Sequence, residues 1–231
     1  MDPLPRVDAL IFDLDGTLAD SVADIGTAAN AVLARYHFPP QELVRYRDWV
    51  GEGGAVLMRR VFKTAVGLDW RDEKVEGLPA PLPRLALEYG EAYEQVGHQF
   101  SAPYAGIPEL LQGIAASGRR MAVLSNKRDD FSKKLVKLLF PGAAFTAVFG
   151  EREGVPKKPD PTAAFELALA LNVLPDKVGF VGDTAIDMGT ARNAGMVALG
   201  AGWGFRPAEL LPSGARRVFE TPSELLQALR G

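Results

Sequence analysis

The apolar positions of this chain change period part-way along it. Ala9–Phe12 is a short unbroken apolar run followed by Gly16, which predicts a buried strand. Over residues 21–36, Ile25, Ala28, Ala29, Val32 and Leu33 recur at helical spacing. Ser21 and Asp24 stand like a capping box at the start of that helix, and Pro39 and Pro40 stop it. Residues 41–50 and 55–67 predict two more helices, parted by Gly-Glu-Gly-Gly at 51–54. A loop follows at 77–83, then a helix over 83–100 with Leu85, Tyr89, Ala92, Tyr93 and Val96 on one side. Between Ala19 and about Phe100 the pattern predicts helices and no strand.

Beyond that point helices and strands alternate. Helices are predicted at 107–117, 130–140, 161–173 and 185–195, each leading into an apolar strand, at 121–125, 146–150, 178–182 and 196–202. Strands that are apolar without alternation belong to a parallel sheet covered on both faces. Ala9–Phe12 joins this set, so the helical stretch is an insertion after the first strand. The expected fold is α/β, a doubly wound parallel-sheet core of residues 1–18 plus 101–231, with an α-helical domain of residues 19–100. In open parallel sheets ligands bind outside the carboxyl ends of the strands. The residues at those ends are Asp13 and Asp15, Ser125 and Asn126, and Gly182 and Asp183.

Composition narrows the classes. With 231 residues and 47% hydrophobic content the chain can bury a sizeable core. Its 26 basic and 29 acidic residues give a net charge of −3, with no basic excess for nucleic acid. Cysteine is absent, which excludes disulfides and cysteine–zinc sites and fits a reducing cytoplasm. The stretch Met-Asp-Pro-Leu-Pro-Arg-Val-Asp has no leader character, and no apolar run reaches the ~18 residues a membrane span needs. The expectation is a cytoplasmic protein that binds neither nucleic acid nor membrane.

Two carboxylates one residue apart, Asp13 and Asp15, repel each other unless a cation intervenes. Asp-Gly between apolar runs also signals a hairpin, but the residues after Gly16 repeat at helical spacing. The functional reading is a hard-cation site of carboxylate and backbone oxygens, as Mg²⁺ prefers. Asp183 and Asp187, four apart across a strand-to-helix junction, suit either helix N-terminal acids or the second half of that site. Ser125 and Asn126 suit a loop or N-cap; beside a metal, their hydroxyl and backbone N–H groups would suit a phosphate oxygen. Lys157 and Lys158 are either solvated or the positive charge that a carboxylate-rich, dianion-binding site needs. His37 and His98 are isolated and read as structural or surface residues. Gly-Glu-Gly-Gly fails the dinucleotide pattern, and no phosphate loop is present.

In this order the motifs are similar to those of the haloacid dehalogenase-like (HAD) superfamily of phosphatases: Asp-Leu-Asp-Gly-Thr-Leu at 13–18, Ser125-Asn126, Lys-Pro-Asp-Pro at 158–161 and Gly-Asp-Thr-Ala-Ile-Asp at 182–187. The match spans nearly the whole chain, and the helical insertion resembles the family's α-helical cap. Residues 49–60, and Ala-Gly-Trp-Gly-Phe at 201–205, resemble phosphoglycolate phosphatases within it. Two departures are Arg128 after Lys127, where a proline is expected, and the acidic Glu52 in the cap loop.

The resemblance implies a Rossmann-like core and an Mg²⁺-dependent phosphatase for small phosphorylated metabolites, with 2-phosphoglycolate leading. Asp13 would be the nucleophile and Asp15 the general acid and base. Asp13, Asp15 through its backbone carbonyl, Asp183 and Asp187 would hold Mg²⁺, with Asp187 bound directly or one shell out. Ser125, Asn126, Lys158 and the backbone around Leu14 and Gly16 would hold the phosphoryl group, Lys158 also restraining Asp13. A dehalogenase would need neither Asp15 nor the metal. Two rivals are a phosphosugar mutase on the same motifs and a silent regulator that binds phosphorylated metabolites. Arg45, Arg47, Glu52, Arg59 and Arg60 are candidates to face the substrate from the cap. The protein is expected to be a monomer or homodimer.

Overall fold

In β1, Ala9–Phe12, all four side chains are buried, because the strand has covered faces on both sides. Ala9 and Ile11 enter one apolar cluster, Leu10 and Phe12 the other. The computed structural model describes residues 4–74 and 76–230. Residues 1–3 of the N-terminal stretch, residue 75 and residue 231 lie outside the described residues.

The elements that follow β1 are, in chain order, β2 (Ala19–Asp20), α1 (Val22–Arg35), α2 (Tyr46–Trp49), α3 (Gly54–Ala65), α4 (Leu82–Val96) and β3 (Ala102–Pro103). Next come α5 (Ile107–Ala116), β4 (Arg120–Arg128), α6 (Asp129–Leu139), β5 (Phe145–Glu151), α7 (Thr162–Leu171) and β6 (Val178–Gly182). The chain closes with α8 (Ala185–Asn193), β7 (Val197–Ala201), β8 (Arg217–Phe219) and α9 (Pro222–Arg230). Six strands form one parallel sheet in the order β5-β4-β1-β6-β7-β8. Apolar faces of α5, α6 and α9 cover one side, and α7 and α8 the other, as doubly wound sheets require. β1 is central, so the loops after β4, β1 and β6 meet at one edge.

The residues up to Asp20 together with those from Ala102 onward form one compact unit, and Ser21–Ser101 form a second, helical one. β2 and β3 pair antiparallel where the chain passes between units, Ala19 opposite Pro103 and Asp20 opposite Ala102. The sequence pattern predicted no strand at Ala19, because two residues carry no period. It also missed β8 and α9.

Within the helical unit, residues 41–50 are not one helix as predicted. The Asn30 side chain donates to the Gln41 carbonyl (2.9 Å) and accepts its N–H (2.8 Å), holding that backbone out of helix. A 3₁₀ turn at Leu43–Arg45 then leads into α2. The expected capping box at Ser21 and Asp24 is also absent. Asp24, wholly buried, instead accepts the backbone N–H groups of Phe100 (3.0 Å) and Ser101 (2.7 Å) and the Ser101 hydroxyl, tying the two ends of the unit together. Replacing Asp24 by alanine orphans two backbone donors at about 1–3 kcal/mol each. Asp24→Ala is therefore expected to lower the melting midpoint of the helical unit and to expose the Phe100 and Ser101 amides to hydrogen exchange. Unchanged exchange at both would refute the clamp.

Candidate active site

Three loops build the site, each fixed by backbone chemistry at a strand end. After β1, the Asp13 N–H donates to the Val181 carbonyl (2.9 Å), so the chain stays in the sheet up to Asp13. It then turns back on itself, with the Leu14 carbonyl accepting the N–H groups of Leu18 (3.0 Å) and Ala19 (2.9 Å). Gly16 has φ +91°, and a Cβ there would stand 2.3 Å from Asp183 Oδ2. Its N–H is donated to the Ala19 carbonyl at 2.9 Å. Gly16 therefore supplies room rather than a phosphoryl donor, which corrects the expectation for it.

After β6, Asp183 is fully buried. Oδ1 accepts the Thr17 hydroxyl (3.0 Å) and Oδ2 the Phe205 N–H (2.8 Å). Asp187 closes a capping box with Thr184 at the start of α8. Its Oδ2 accepts the Thr184 N–H (3.1 Å) and hydroxyl (2.8 Å). The helix-acid reading is thus correct for Asp187, yet its Oδ1 faces the cluster. Carboxylate oxygens of Asp13, Asp183 and Asp187 lie within 4.8 Å of one another. The Asp15 carboxylate is not part of this cluster.

Lys158 stands between two of these acids, Nζ 2.8 Å from Asp13 Oδ1 and 2.7 Å from Asp187 Oδ1. Burial alone would depress the Lys158 ammonium, but Asp13 and Asp187 together push it above the ordinary lysine range. Asp13 moves the other way from a usual carboxylate. Burial, opposed by Lys158 and reinforced by Asp187 and Asp15, raises it to about 7. Burial and repulsion from Asp187 and Asp13 raise Asp183 well above its ordinary value, against the donors at Phe205 and Thr17. A buried set of hard oxygen donors, with Asp13 and Asp183 raised by burial and mutual repulsion, suits a divalent cation, which removes that repulsion.

Residues 10–201 match the family model for haloacid dehalogenase-like hydrolases. The chain belongs to that family. A phosphoglycolate phosphatase of Pseudomonas putida is 34% identical to this hydrolase over 98% of this chain and 78% of its own length. One from Pseudomonas savastanoi pv. phaseolicola is 34% identical over 87% and 71%. A crystal structure from Lactobacillus delbrueckii subsp. bulgaricus, provisionally described as a phosphoglycolate phosphatase, superposes with a TM-score of 0.88 over 97% of this chain and 99% of its own, at 29% identity.

The remaining expected residues of this hydrolase fall into two groups. Ser125, at the end of the apolar part of β4, is buried at the same sheet edge and its hydroxyl accepts the Lys127 N–H at 3.2 Å. Asn126 is committed elsewhere: its amide donates to the Lys158 carbonyl (3.0 Å) and accepts the Lys158 N–H (2.9 Å). Its side chain thus positions Lys158, while the expected phosphate donor at this residue is the backbone N–H, which these two bonds do not involve. Lys157 pairs with Glu151 at 3.1 Å.

In the helical unit, Glu52 is bound to Arg60, which also donates to the Trp49 carbonyl (2.9 Å), so the acid in that loop is neutralised locally. Arg45 donates to Gln41 (3.1 Å) and lies 5.2 Å from the Trp49 ring centroid. Arg59 is buried and its Nε has no hydrogen-bond partner, as is the case for Arg47 Nε. His37 and His98 sit at φ +62° and +61°, just past helix ends.

Sequence reasoning missed four contributors. Thr17 and Phe205 hold Asp183, and Trp203 Nε1 donates to the Thr17 carbonyl at 2.9 Å. Lys127 grips Asp15, with Nζ 3.0 Å from both carboxylate oxygens. The signal was present in Asp-Gly-Thr, in Ala-Gly-Trp-Gly-Phe and in the lysine two places after Ser125, but a partner 112 residues away has no mark in local pattern.

Proposed function

We propose that this hydrolase releases inorganic phosphate from small phosphate monoesters, 2-phosphoglycolate foremost, with Mg²⁺ as its metal. It is a phosphoric monoester hydrolase. The chain runs along most of the length of curated phosphoglycolate phosphatases, and the family generally uses a divalent metal. The observation that carries the residue roles is the buried trio Asp13, Asp183 and Asp187, bridged by Lys158 at the carboxyl ends of β1 and β6.

Asp13 is the proposed nucleophile. Its carboxylate oxygen bonds to phosphorus as the bond to the leaving oxygen breaks, and Asp15 gives that oxygen a proton. Water then attacks phosphorus, its proton passes to Asp15, and the Asp13–phosphorus bond breaks to free phosphate. Ser125 and Lys158 hold phosphoryl oxygens, and Asn126 holds Lys158. Asp13, Asp183, Asp187 and the Asp15 carbonyl would hold the metal. When bound, the cation neutralises charge on the phosphoryl oxygens and on the acids around them. No described helix is long and apolar enough to cross a membrane. A cysteine-free enzyme for small metabolites fits the cytoplasm.

The test is phosphate release from a panel of monoesters, 2-phosphoglycolate included, with Mg²⁺ or EDTA. Turnover that needs the metal and ranks 2-phosphoglycolate first is expected. A phosphorylated product in place of free phosphate would favour the mutase, and binding without any turnover the regulator.

Asp13 and Asp183 set the pH dependence of the metal-free protein. Asp13 is raised from 3.8 to about 7 in the fold, so the folded state binds a proton more tightly than the unfolded chain. That contribution is complete at low pH and is lost as pH rises toward 7, and Asp183 acts in the same sense. Asp72 and Asp160, held low by donors at Lys74, Lys63 and Thr162, act only at more acid pH. In EDTA the melting temperature is expected to fall between pH 5 and pH 8 by about 5 °C or more, at ~2–4 °C per kcal/mol for a chain of this size. Mg²⁺ should recover most of that at pH 8 and little at pH 5. A flat or rising profile in EDTA would contradict the site.

A further inference from the structure

The contact between Lys127 and Asp15 has no place in the chemistry just described. The Lys127 ammonium lies 3.0 Å from each oxygen of Asp15, and the two side chains are only 7% and 10% exposed. The Lys127 backbone is fixed on both sides. Its N–H donates to the Ser125 hydroxyl (3.2 Å), and its carbonyl accepts the Ser132 hydroxyl (3.2 Å). The pairing of β4 with β5 shifts register between Leu124 and Arg128, an irregularity of the kind that re-aims a side chain beside an active site. Gly150 of β5 packs against this stretch so closely that a Cβ would stand 2.5 Å from the Lys127 carbonyl oxygen. Lys127 is therefore aimed at Asp15 by the backbone.

With both oxygens on the ammonium, the Asp15 carboxylate is held turned toward Lys127. To act it must part from Lys127, and two buried opposite charges separate only when each finds a replacement. We propose that Lys127 is a latch on Asp15 that a second anionic group on the leaving side of the substrate releases, which makes Lys127 a specificity residue for esters carrying such a group. Asp15 serves the leaving oxygen, so what reaches the Lys127 ammonium in a bound ester is the substituent on that oxygen. A carboxylate one carbon away takes the place of Asp15 on the ammonium and frees Asp15 for the leaving oxygen. An ester with a neutral substituent leaves the latch closed. The inference rests on the phosphatase reading above and names the substrate class within it.

The test compares 2-phosphoglycolate with its carboxamide, which keeps the shape and removes the charge, on wild type, Lys127→Met and Lys127→Arg, each checked by circular dichroism. Wild type is expected to prefer the carboxylate in kcat/KM by about 10²-fold, a discrimination of the size charge-assisted recognition allows. Lys127→Met should lose nearly all of that preference, from a higher KM for the carboxylate and, with the latch gone, a higher kcat for the carboxamide. Lys127→Arg keeps the charge and should keep part of the preference. Equal losses on both esters would make Lys127 a structural support and overturn the latch, as would no loss on either or a wild type without preference. Should Lys127→Met not fold, the ratio for Lys127→Arg decides, since an unchanged preference with the ammonium gone from Asp15 overturns it too. Failure of the wild type on the whole monoester panel is a separate result, which removes the phosphatase reading itself.

Discussion

Asp13→Asn is expected to abolish phosphate release, by at least about 10⁴ in kcat, while leaving the protein folded and, in EDTA, no less stable. The size follows from the role: an amide oxygen does not attack phosphorus, and removing one member of a catalytic unit costs nearly as much as removing the unit. The stability follows from the surroundings. Asp13 is buried beside Asp183 and Asp187, and burial and that crowding hold its carboxyl at about 7. Asparagine keeps the shape and an oxygen for the Lys158 ammonium, now 2.8 Å from Asp13 Oδ1, and removes one of three mutually repelling charges. At pH 8 without metal the variant should melt at or above the wild type, and Mg²⁺ should stabilise it less. Phosphate release and paired melts in EDTA and Mg²⁺ check both halves. Activity within tenfold of wild type would remove Asp13 from the nucleophile's role; inactivity with a collapsed melt would make the loss a folding effect.

The legible parts of this chain were those that strand burial writes into composition. β1, β4, β6 and β7 are each apolar over consecutive residues because both sheet faces are covered, β5 is a half-buried edge strand, and the acids that end β1 and β6 stand out against such runs. Tertiary contact decided the rest. Asn30 pulls Gln41 out of a helix that local spacing supports, and Asp24 turns from its own helix to the backbone at Phe100 and Ser101. β2 and β3 are too short to show a period at all. In the site, residue type announced Asp13, Asp183 and Asp187, which the structure brings together. It did not announce what each polar group had already spent. The Asn126 amide is committed to the Lys158 backbone and the Gly16 N–H to the Ala19 carbonyl, whereas Lys127 reaches a carboxylate that no nearby residue foreshadows.

Lys158→Met should be the single change most damaging to stability and should also cost turnover, and the two losses should respond differently to conditions. The ammonium is 2% exposed and bridges Asp13 and Asp187, so methionine leaves two buried carboxylates with their shared cation gone. Breaking a buried pair from one side costs about 3–5 kcal/mol, far more than the net worth of the pair. At this chain length that corresponds to a fall in melting temperature of roughly 10 °C in EDTA at pH 8. The loss should shrink toward pH 5. With the cation gone, Asp13 rises further above its unfolded value, and a raised carboxyl favours the fold at low pH and loses that effect as pH rises. Added Mg²⁺ should recover more stability in Lys158→Met than in wild type, because it supplies positive charge to the same oxygens. It should not recover turnover, which is expected to fall at least about 10³-fold, since the group that holds the phosphoryl oxygens and orients Asp13 is absent. Melts at pH 5 and 8 with and without Mg²⁺, beside phosphate release at saturating metal, separate these effects. A deficit in stability equal at both pH values, or turnover restored by metal, would mean that Lys158 does not act as the bridge between Asp13 and Asp187.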